Sequence, residues 1–268
     1  MFNLKNKIVV IAGAGGFLGS HFCKYLISFG ANVVAIDINI KSLNNLKKLI
    51  KDSNLDKNKL HPVKCNILSE IEIIKVKKKI IKKFKKVDVL INNATYRAKK
   101  LENFYKSFEN FNLKDWTAIS KVNNDGTFLI TKHFVKEMMK KRSGSIIQIG
   151  SIYSQLAPNF EIYKNSFFKG NKINSPAVYS VNKFGIHGLT KYLSSYLGKY
   201  NIRVNCVSPG GIDQNHSTQF KKNYSSNIPL KRMGKVDDLE GIIIFLSSSE
   251  SSFVTGQNIL IDGGLSCW

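Results

Sequence analysis

Along the chain, short runs of apolar residues alternate with longer stretches in which apolar positions recur every three or four residues. The runs fall at 7–12, 32–37, 60–65, 87–92, 145–149, 202–207 and 258–261, rich in Val and Ile and nearly free of polar interruption. A strand with one face in water alternates apolar and polar side chains, whereas a parallel strand covered on both faces is apolar throughout. The intervening stretches are long enough for crossover helices. In residues 73–84 the apolar side chains recur at 73, 76, 80, 81 and 84 with lysines between them. That spacing predicts an amphipathic helix that buries an Ile/Val/Phe stripe and keeps its lysines in solvent. Strands alternating with helices, with no internal repeat and no Pro/Gly/Ser-rich linker, predict an α/β fold. It is a doubly wound, mostly seven-stranded parallel sheet flanked by helices, forming a single domain over residues 1–268.

Composition narrows the class. With 268 residues, 43% hydrophobic and 22% charged, the chain sits near the averages of globular proteins, which excludes disordered and fibrous architectures. The unusual quantity is charge: 41 Lys and Arg against 18 Asp and Glu give +23. Arginine, the side chain best suited to reading bases, supplies only four of those cations. Lysine, asparagine and isoleucine are abundant together, as AT-rich codons produce. No nucleic-acid partner is therefore expected, and salt-dependent DNA titration is the check. No run approaches the ~18–20 apolar residues of a membrane helix. Lys5 and Lys7 ahead of residues 8–12 imitate an export signal, but the run dissolves into glycines, so a cytoplasmic protein is expected. Cys23, Cys65, Cys206 and Cys267 form no CxxC pair and read as reduced, mostly buried thiols. The five histidines show no ligand spacing, and no metal is expected.

The candidate chemistry starts at the first strand. Gly13, Ala14, Gly15, Gly16, Phe17, Leu18 and Gly19 follow it and open a helical pattern through Phe22, Tyr25 and Leu26. A glycine-rich turn between a strand and a helix N-terminus admits a pyrophosphate close to the backbone and points unpaired amides at it. Asp37, at the end of the second run, is placed to accept hydrogen bonds from adenosine ribose hydroxyls and to repel a 2′-phosphate. NAD is thus the expected cofactor, with NADP left open by Lys41 nearby. Further on, Tyr179 and Lys183 stand four apart, on one face of a helix. A free phenol loses its proton only near pH 10, and an adjacent ammonium favours the phenolate.

These residues resemble the short-chain dehydrogenase/reductase family over essentially the whole chain. The matching motifs occur in order: the glycine turn; Asn92, Asn93 and Ala94 after the fourth strand; Asn123 in a helix; Ser151 after the fifth strand; Tyr179 and Lys183; Pro209 and Gly210 after the sixth; and Ile261, Asp262, Gly263 and Gly264 near the end. The resemblance implies a Rossmann fold and an NAD(P)-dependent exchange between a secondary alcohol and a ketone. It implies Tyr179 as general acid/base, Ser151 as hydrogen-bond partner of the same substrate oxygen, and Lys183 on the nicotinamide ribose. Asn123 would hold a water joining the relay to solvent. The cofactor would be lined by Gly13, Gly15, Gly16, Phe17, Leu18, Gly19, Asp37, Asn92, Ala94, Pro209 and Gly210, with Asn66 and Ile67 near the adenine and Ile212 near the nicotinamide amide. It also implies a homodimer or homotetramer paired through the helices around 122–140 and 177–200.

The departures are equally informative. Gly13, Gly16 and Gly19 give the G-x-x-G-x-x-G spacing of the family's extended, nucleotide-sugar-modifying branch, yet with so short a stretch after Asp262 that branch's extra domain is not expected. Thr95 replaces the glycine that often follows the Asn-Asn-Ala motif. Ser151 and Tyr179 lie 28 positions apart instead of the usual dozen or so. The added segment, about 156–176, must return beside the catalytic residues, where a long loop shapes a substrate pocket. That segment, with Ile152, Tyr153 and residues 205–212, is similar to oxidoreductases found with bacterial flagellin-glycan and legionaminic-type (nonulosonic acid) sugar biosynthesis. A polar, sugar-like substrate is the first expectation. Reduction of a 3-oxoacyl thioester is the alternative, and a dinucleotide-binding sensor without turnover would have lost Ser151, Tyr179 or Lys183.

Overall fold

Alternation of side chains along each strand sends neighbours to opposite faces, so a sheet with two covered faces needs two cores. The computed structural model describes residues 2–267 and has that arrangement. Met1 and Trp268, the ends of the expected single-domain span, lie outside the described residues. The strands are β1 (Ile8–Ala12), β2 (Asn32–Asp37), β3 (Leu60–Lys64), β4 (Val89–Asn92), β5 (Gly144–Ile149), β6 (Phe167–Phe168), β7 (Asn171–Lys172), β8 (Ile202–Pro209) and β9 (Asn258–Ile261). The helices are α1 (Phe17–Ser28), α2 (Ile40–Asp52), α3 (Glu70–Phe84), α4 (Leu101–Phe104), α5 (Leu113–Ser120), α6 (Thr127–Lys141), α7 (Ala177–Leu197), α8 (Thr218–Ser226) and α9 (Glu240–Ser247).

Seven strands form one parallel sheet in the order β3-β2-β1-β4-β5-β8-β9. In β1, Val9 and Ile11 join the core that carries Phe22 and Leu26 of α1, Leu43 and Leu46 of α2 and Ile243 of α9. Ile8, Val10 and Ala12 join the opposite core, with Ile73 and Ile80 of α3, Phe134 of α6 and Leu197 of α7. The apolar stripe predicted over 73–84 is the buried face of α3. The order reverses between β1 and β4, whose carboxyl ends flank the crevice where such sheets take ligands.

Two expectations shift in detail. Pairing in β4 starts at Val89, two residues later than the apolar run, because Asp88 is a joint. Its carboxylate accepts from the Ile8 amide at 2.8 Å and from Lys141 at 2.6 Å, and its main chain bonds Ile8 and Ser145. The helix expected around 122–140 opens with a π-helical turn, Lys121–Gly126, between α5 and α6. All four thiols are free, with Cys267 exposed and the others buried. No helix among the described residues is long and apolar enough to cross a membrane.

Candidate active site

The glycine turn is as tight as its sequence suggests. Gly13 takes a left-handed φ of +74°, and a Cβ there would lie 2.5 Å from the Cα of Ala94. At Gly19 a Cβ would meet the carbonyl oxygen of Gly13 at 2.1 Å, so α1 packs directly on the turn. Asn93 locks the turn by donating its side-chain amide to that same carbonyl at 2.9 Å. The Asp37 carboxylate accepts from Gly15 at 2.9 Å and, through its other oxygen, from Asn39 at 2.9 Å. No side chain caps the N-terminus of α1, as is also true of α4, α6, α7 and α9. A close-approach turn with uncapped helix amides fits the pyrophosphate of a dinucleotide. Leu18 reaches the central cavity, and Phe17 is half exposed against His21.

Asn66 and Ile67 follow β3; Asn66 caps its own loop by accepting from Leu68 at 3.0 Å, and Ile67 is buried. Asn92 is a core residue, donating to Thr131 at 2.8 Å and Gln148 at 3.0 Å, with its side-chain oxygen left without a partner. Asn123 sits inside the π turn, where its Oδ1 accepts from the Tyr96 amide at 2.8 Å. Its Nδ2 donates back to the Tyr96 carbonyl at 3.3 Å. The irregular turn therefore fixes the segment leaving β4, a use of π turns that recurs at functional sites. Asn182 of α7 accepts from Ser120 at 3.1 Å and Asn124 at 2.9 Å, tying the π turn to the helix that carries Tyr179.

At the carboxyl end of β5, Ser151 is nearly buried and caps the following turn through Tyr153. Lys183 donates to the Ile149 carbonyl at 2.8 Å, with its ammonium 5.7 Å from the Tyr179 ring centre. Tyr179 stands edge-on to Phe104 and to Tyr153, each at 6.2 Å. Tyr179 and Ser151 both face a cavity of about 220 Å³, which Pro209, Gly210 and Ile212 also line. Gly210 is held by its amide to Ile261 at 2.9 Å, and Ile212 bridges to Gly234.

The added segment is built structure. A 3-10 turn (Phe160–Tyr163) leads into the β6–β7 hairpin, turned by Lys169 and Gly170 at positive φ. Tyr163, Ile173, Asn174, Ser175 and Pro176 line the cavity. The hydroxyls of Tyr163 and Tyr153 hydrogen-bond at 2.6 Å. Burial pushes the Tyr153 phenol up to about 12, against the pull of that bond, so it stays neutral. Arg97, Tyr153, Tyr163, Gln214 and His216 were not singled out as site residues by sequence reasoning. They come from four separate segments, and only the fold brings them to one cavity. Among the described residues no group of three or more His, Cys, Asp or Glu side chains is placed to hold a metal ion.

Sheet order, a switch-point crevice, and Tyr179 and Ser151 lining one cavity with Lys183 beside the Tyr179 ring define a dinucleotide-dependent oxidoreductase. Residues 7–225 match the family model "short chain dehydrogenase", and the chain belongs to that family. It is 34% identical to the 3-oxoacyl-acyl-carrier-protein reductase FabG of Thermotoga maritima over 98% of each chain. It is 32% identical to the post-translational flagellin modification protein A of Campylobacter coli, covering 97% of this chain and 98% of that one. Among solved structures, a short-chain dehydrogenase from Leptospira borgpetersenii with bound NAD+ superposes with a TM-score of 0.82 at 34% identity, over 98% and 94% of the two chains. A gluconate 5-dehydrogenase from Burkholderia cenocepacia, in complex with NADP and tartrate, gives 0.82 at 26% identity over 100% and 98%. The chain is thus a short-chain oxidoreductase acting on CH–OH groups with a nicotinamide cofactor.

Proposed function

We propose that this enzyme interconverts a secondary alcohol and a ketone on a polar, sugar-like substrate in bacterial surface-glycan assembly, in the cytoplasm. The observation that carries the substrate reading is the cavity wall. Residues 156–176 add Asn174 and Ser175 to a lining that also holds Gln214 and Tyr179, which suits a polyhydroxylated ligand.

The residues present fit a nicotinamide dinucleotide. The turn from Gly13 through Gly19, with Gly15, Gly16, Phe17 and Leu18, would hold its pyrophosphate, and Asp37 its adenosine ribose. Asn66 and Ile67 would flank the adenine, with Asn92, Ala94, Pro209, Gly210 and Ile212 along the rest. NAD is the cofactor we favour. Bound there, it supplies the two-electron acceptor or donor. Tyr179 takes the proton from the substrate hydroxyl, or returns it to the carbonyl, and Ser151 hydrogen-bonds the same oxygen. Lys183 stabilises the phenolate and reaches the nicotinamide ribose, and Asn123 joins the relay to solvent. The exposed apolar faces of α6 and α7 pair copies of the chain into a dimer or tetramer.

The test is a spectrophotometric screen of polyols and sugar derivatives with NAD+, beside acetoacetyl thioester with NADPH. Turnover of a sugar-type alcohol supports the proposal. Turnover of the thioester alone establishes the second reading, 3-oxoacyl thioester reduction, which the likeness to the Thermotoga reductase favours.

A further inference from the structure

Arginine is scarce here, four residues among 41 cations, and three of the four have partners away from the catalytic cavity. Arg232 forms a two-point pair with Asp238 at 2.6 and 2.9 Å. Arg203 donates to the carbonyls of Leu246 and Ser248 at 3.0 and 3.1 Å, and Arg142 to that of Lys199 at 2.8 Å. Arg97 is different. It stands on the segment leaving β4, half buried in the lining of the catalytic cavity. Among the described residues no other Arg, Lys, Asp or Glu lines that cavity. No ion pair among the described residues includes it. Its polar neighbour is the Tyr105 phenol, which burial raises against the pull of Arg97. His216 lines the same cavity, but burial foremost, and the charge of Arg97, hold it below its ordinary range, so it stays neutral at pH 7.

We infer that Arg97 is an anion subsite, and that the substrate carries a carboxylate or phosphate ester which docks on it while its secondary alcohol faces Tyr179. The inference deepens the proposed oxidoreductase function and rests on it. The half-buried Arg97 guanidinium has the Tyr105 phenol beside it, and no carboxylate among the described residues compensates it. An anionic ligand does, and the planar fork of arginine matches carboxylate and phosphate with two parallel hydrogen bonds. Asn174, Ser175 and Gln214 leave neutral donors and acceptors for the hydroxyls between the two ends. The net charge of +23 raises the local concentration of such a substrate.

Three small alcohols of matched skeleton separate the possibilities: D-glycerate, glycerol 3-phosphate and glycerol. Each is titrated calorimetrically into the NADH-loaded wild type and the Arg97→Gln variant, with NADH affinity as the control for folding. The wild type is expected to bind at least one anion tenfold or more tightly than glycerol, and Arg97→Gln to abolish that preference with NADH affinity unchanged. Preference for glycerate assigns a carboxylate, and preference for the phosphate assigns a phosphate ester. Equal or absent binding of all three by the wild type, or an undiminished anion preference in Arg97→Gln, overturns the subsite. The readout needs no turnover, so such a result leaves the role of Tyr179 standing, whereas a fully active Tyr179→Phe enzyme removes the catalytic reading instead.

Discussion

Tyr179, Lys183 and Asp37 carry the sharpest expectations. Replacing Tyr179 by Phe deletes one hydroxyl and leaves the ring contacts with Phe104 and Tyr153 in place. General acid/base catalysis contributes roughly 100- to 10,000-fold. Tyr179→Phe is therefore expected to lower kcat by about 1,000-fold while changing NADH affinity less than twofold, read from steady-state rates and nicotinamide fluorescence. Asp37 has two duties, because its oxygens brace the amides of Gly15 and Asn39 as well as facing the expected ribose position. Asp37→Asn keeps one acceptor oxygen and removes the charge. NADH affinity is expected to fall about tenfold, or ~1.4 kcal/mol, with NADPH affinity rising; unchanged discrimination between the two would remove Asp37 from cofactor choice. The places of Tyr179 and Lys183 on α7 and of Asp37 at the end of β2 were legible from spacing, while the roles expected of them came from the resemblance of the whole motif set. Arg97, Tyr153 and Tyr163 were not, since their meaning depends on contacts between segments that no local period encodes.

Among the elements, the β1–α1 joint and the Asp88 junction are the points where packing is least forgiving. A methyl group at Gly19 would lie 2.1 Å from the Gly13 carbonyl, and neither backbone can yield without breaking the bond from Asn93. Gly19→Ala is expected to cost about 3 kcal/mol, a loss of roughly 6–12 °C in thermal melting for a domain of this size, together with dinucleotide binding. Asp88 ties β1 to α6 and is flanked by Lys141 at 2.6 Å and Lys86 at 3.0 Å. Burial opposes its charge, but Lys141, the Ile8 amide and Lys86 together hold the carboxyl below its ordinary range. The unfolded chain then binds this proton first. The contribution is complete above the ordinary Asp value near 4 and fades as pH falls through the lower folded value. Asp88→Asn is expected to lower stability at pH 7 by about 1–3 kcal/mol and to flatten the acid limb of a denaturation series between pH 5 and 3. The seven sheet strands were readable within one or two residues, most of them as Val/Ile-rich runs buried on both faces, whereas β3 (Leu-His-Pro-Val-Lys) and β9 are only partly buried. The π turn was not readable: a side-chain hydrogen bond from Thr127 to the Asn123 carbonyl, at 2.7 Å, and the hold of Asn123 on Tyr96 interrupt a sequence that reads as uniform helix. The β6–β7 hairpin escaped notice because its strands are two residues each and its Lys-Gly turn lacks the usual Asn or Asp signal.

On the scale of the whole molecule, two surface properties oppose each other. One face of α7 presents Val181, Phe184, Tyr192 and Tyr196 to solvent, between 47% and 65% exposed, and α6 adds Phe128 at 52%. At 3.6 residues per turn the four α7 positions fall in one stripe, opposite the face that carries Tyr179 and Lys183. Gly188 lies within that stripe with open space around it, so a second helix can approach closely. An apolar face of this kind fits the pairing of copies proposed above. Against it stands the charge of +23, which makes two copies repel. Association is therefore expected to strengthen with ionic strength as screening removes the repulsion, whereas binding held by ion pairs would weaken. Light scattering coupled to gel filtration is expected to give two or four times 30.2 kDa for the wild type at 150 mM salt, with dissociation favoured at 10 mM. Tyr192→Glu places a carboxylate in the stripe about 20 Å along the helix from Tyr179, and is expected to yield the 30.2 kDa monomer. A wild type that is monomeric at every salt concentration would leave α7 an ordinary exposed face. A dimer unmoved by Tyr192→Glu would put the interface elsewhere. Because the two faces belong to one helix, loss of the partner is also expected to loosen the hold of Asn182 on Ser120 and Asn124, lowering kcat with little change in NADH affinity.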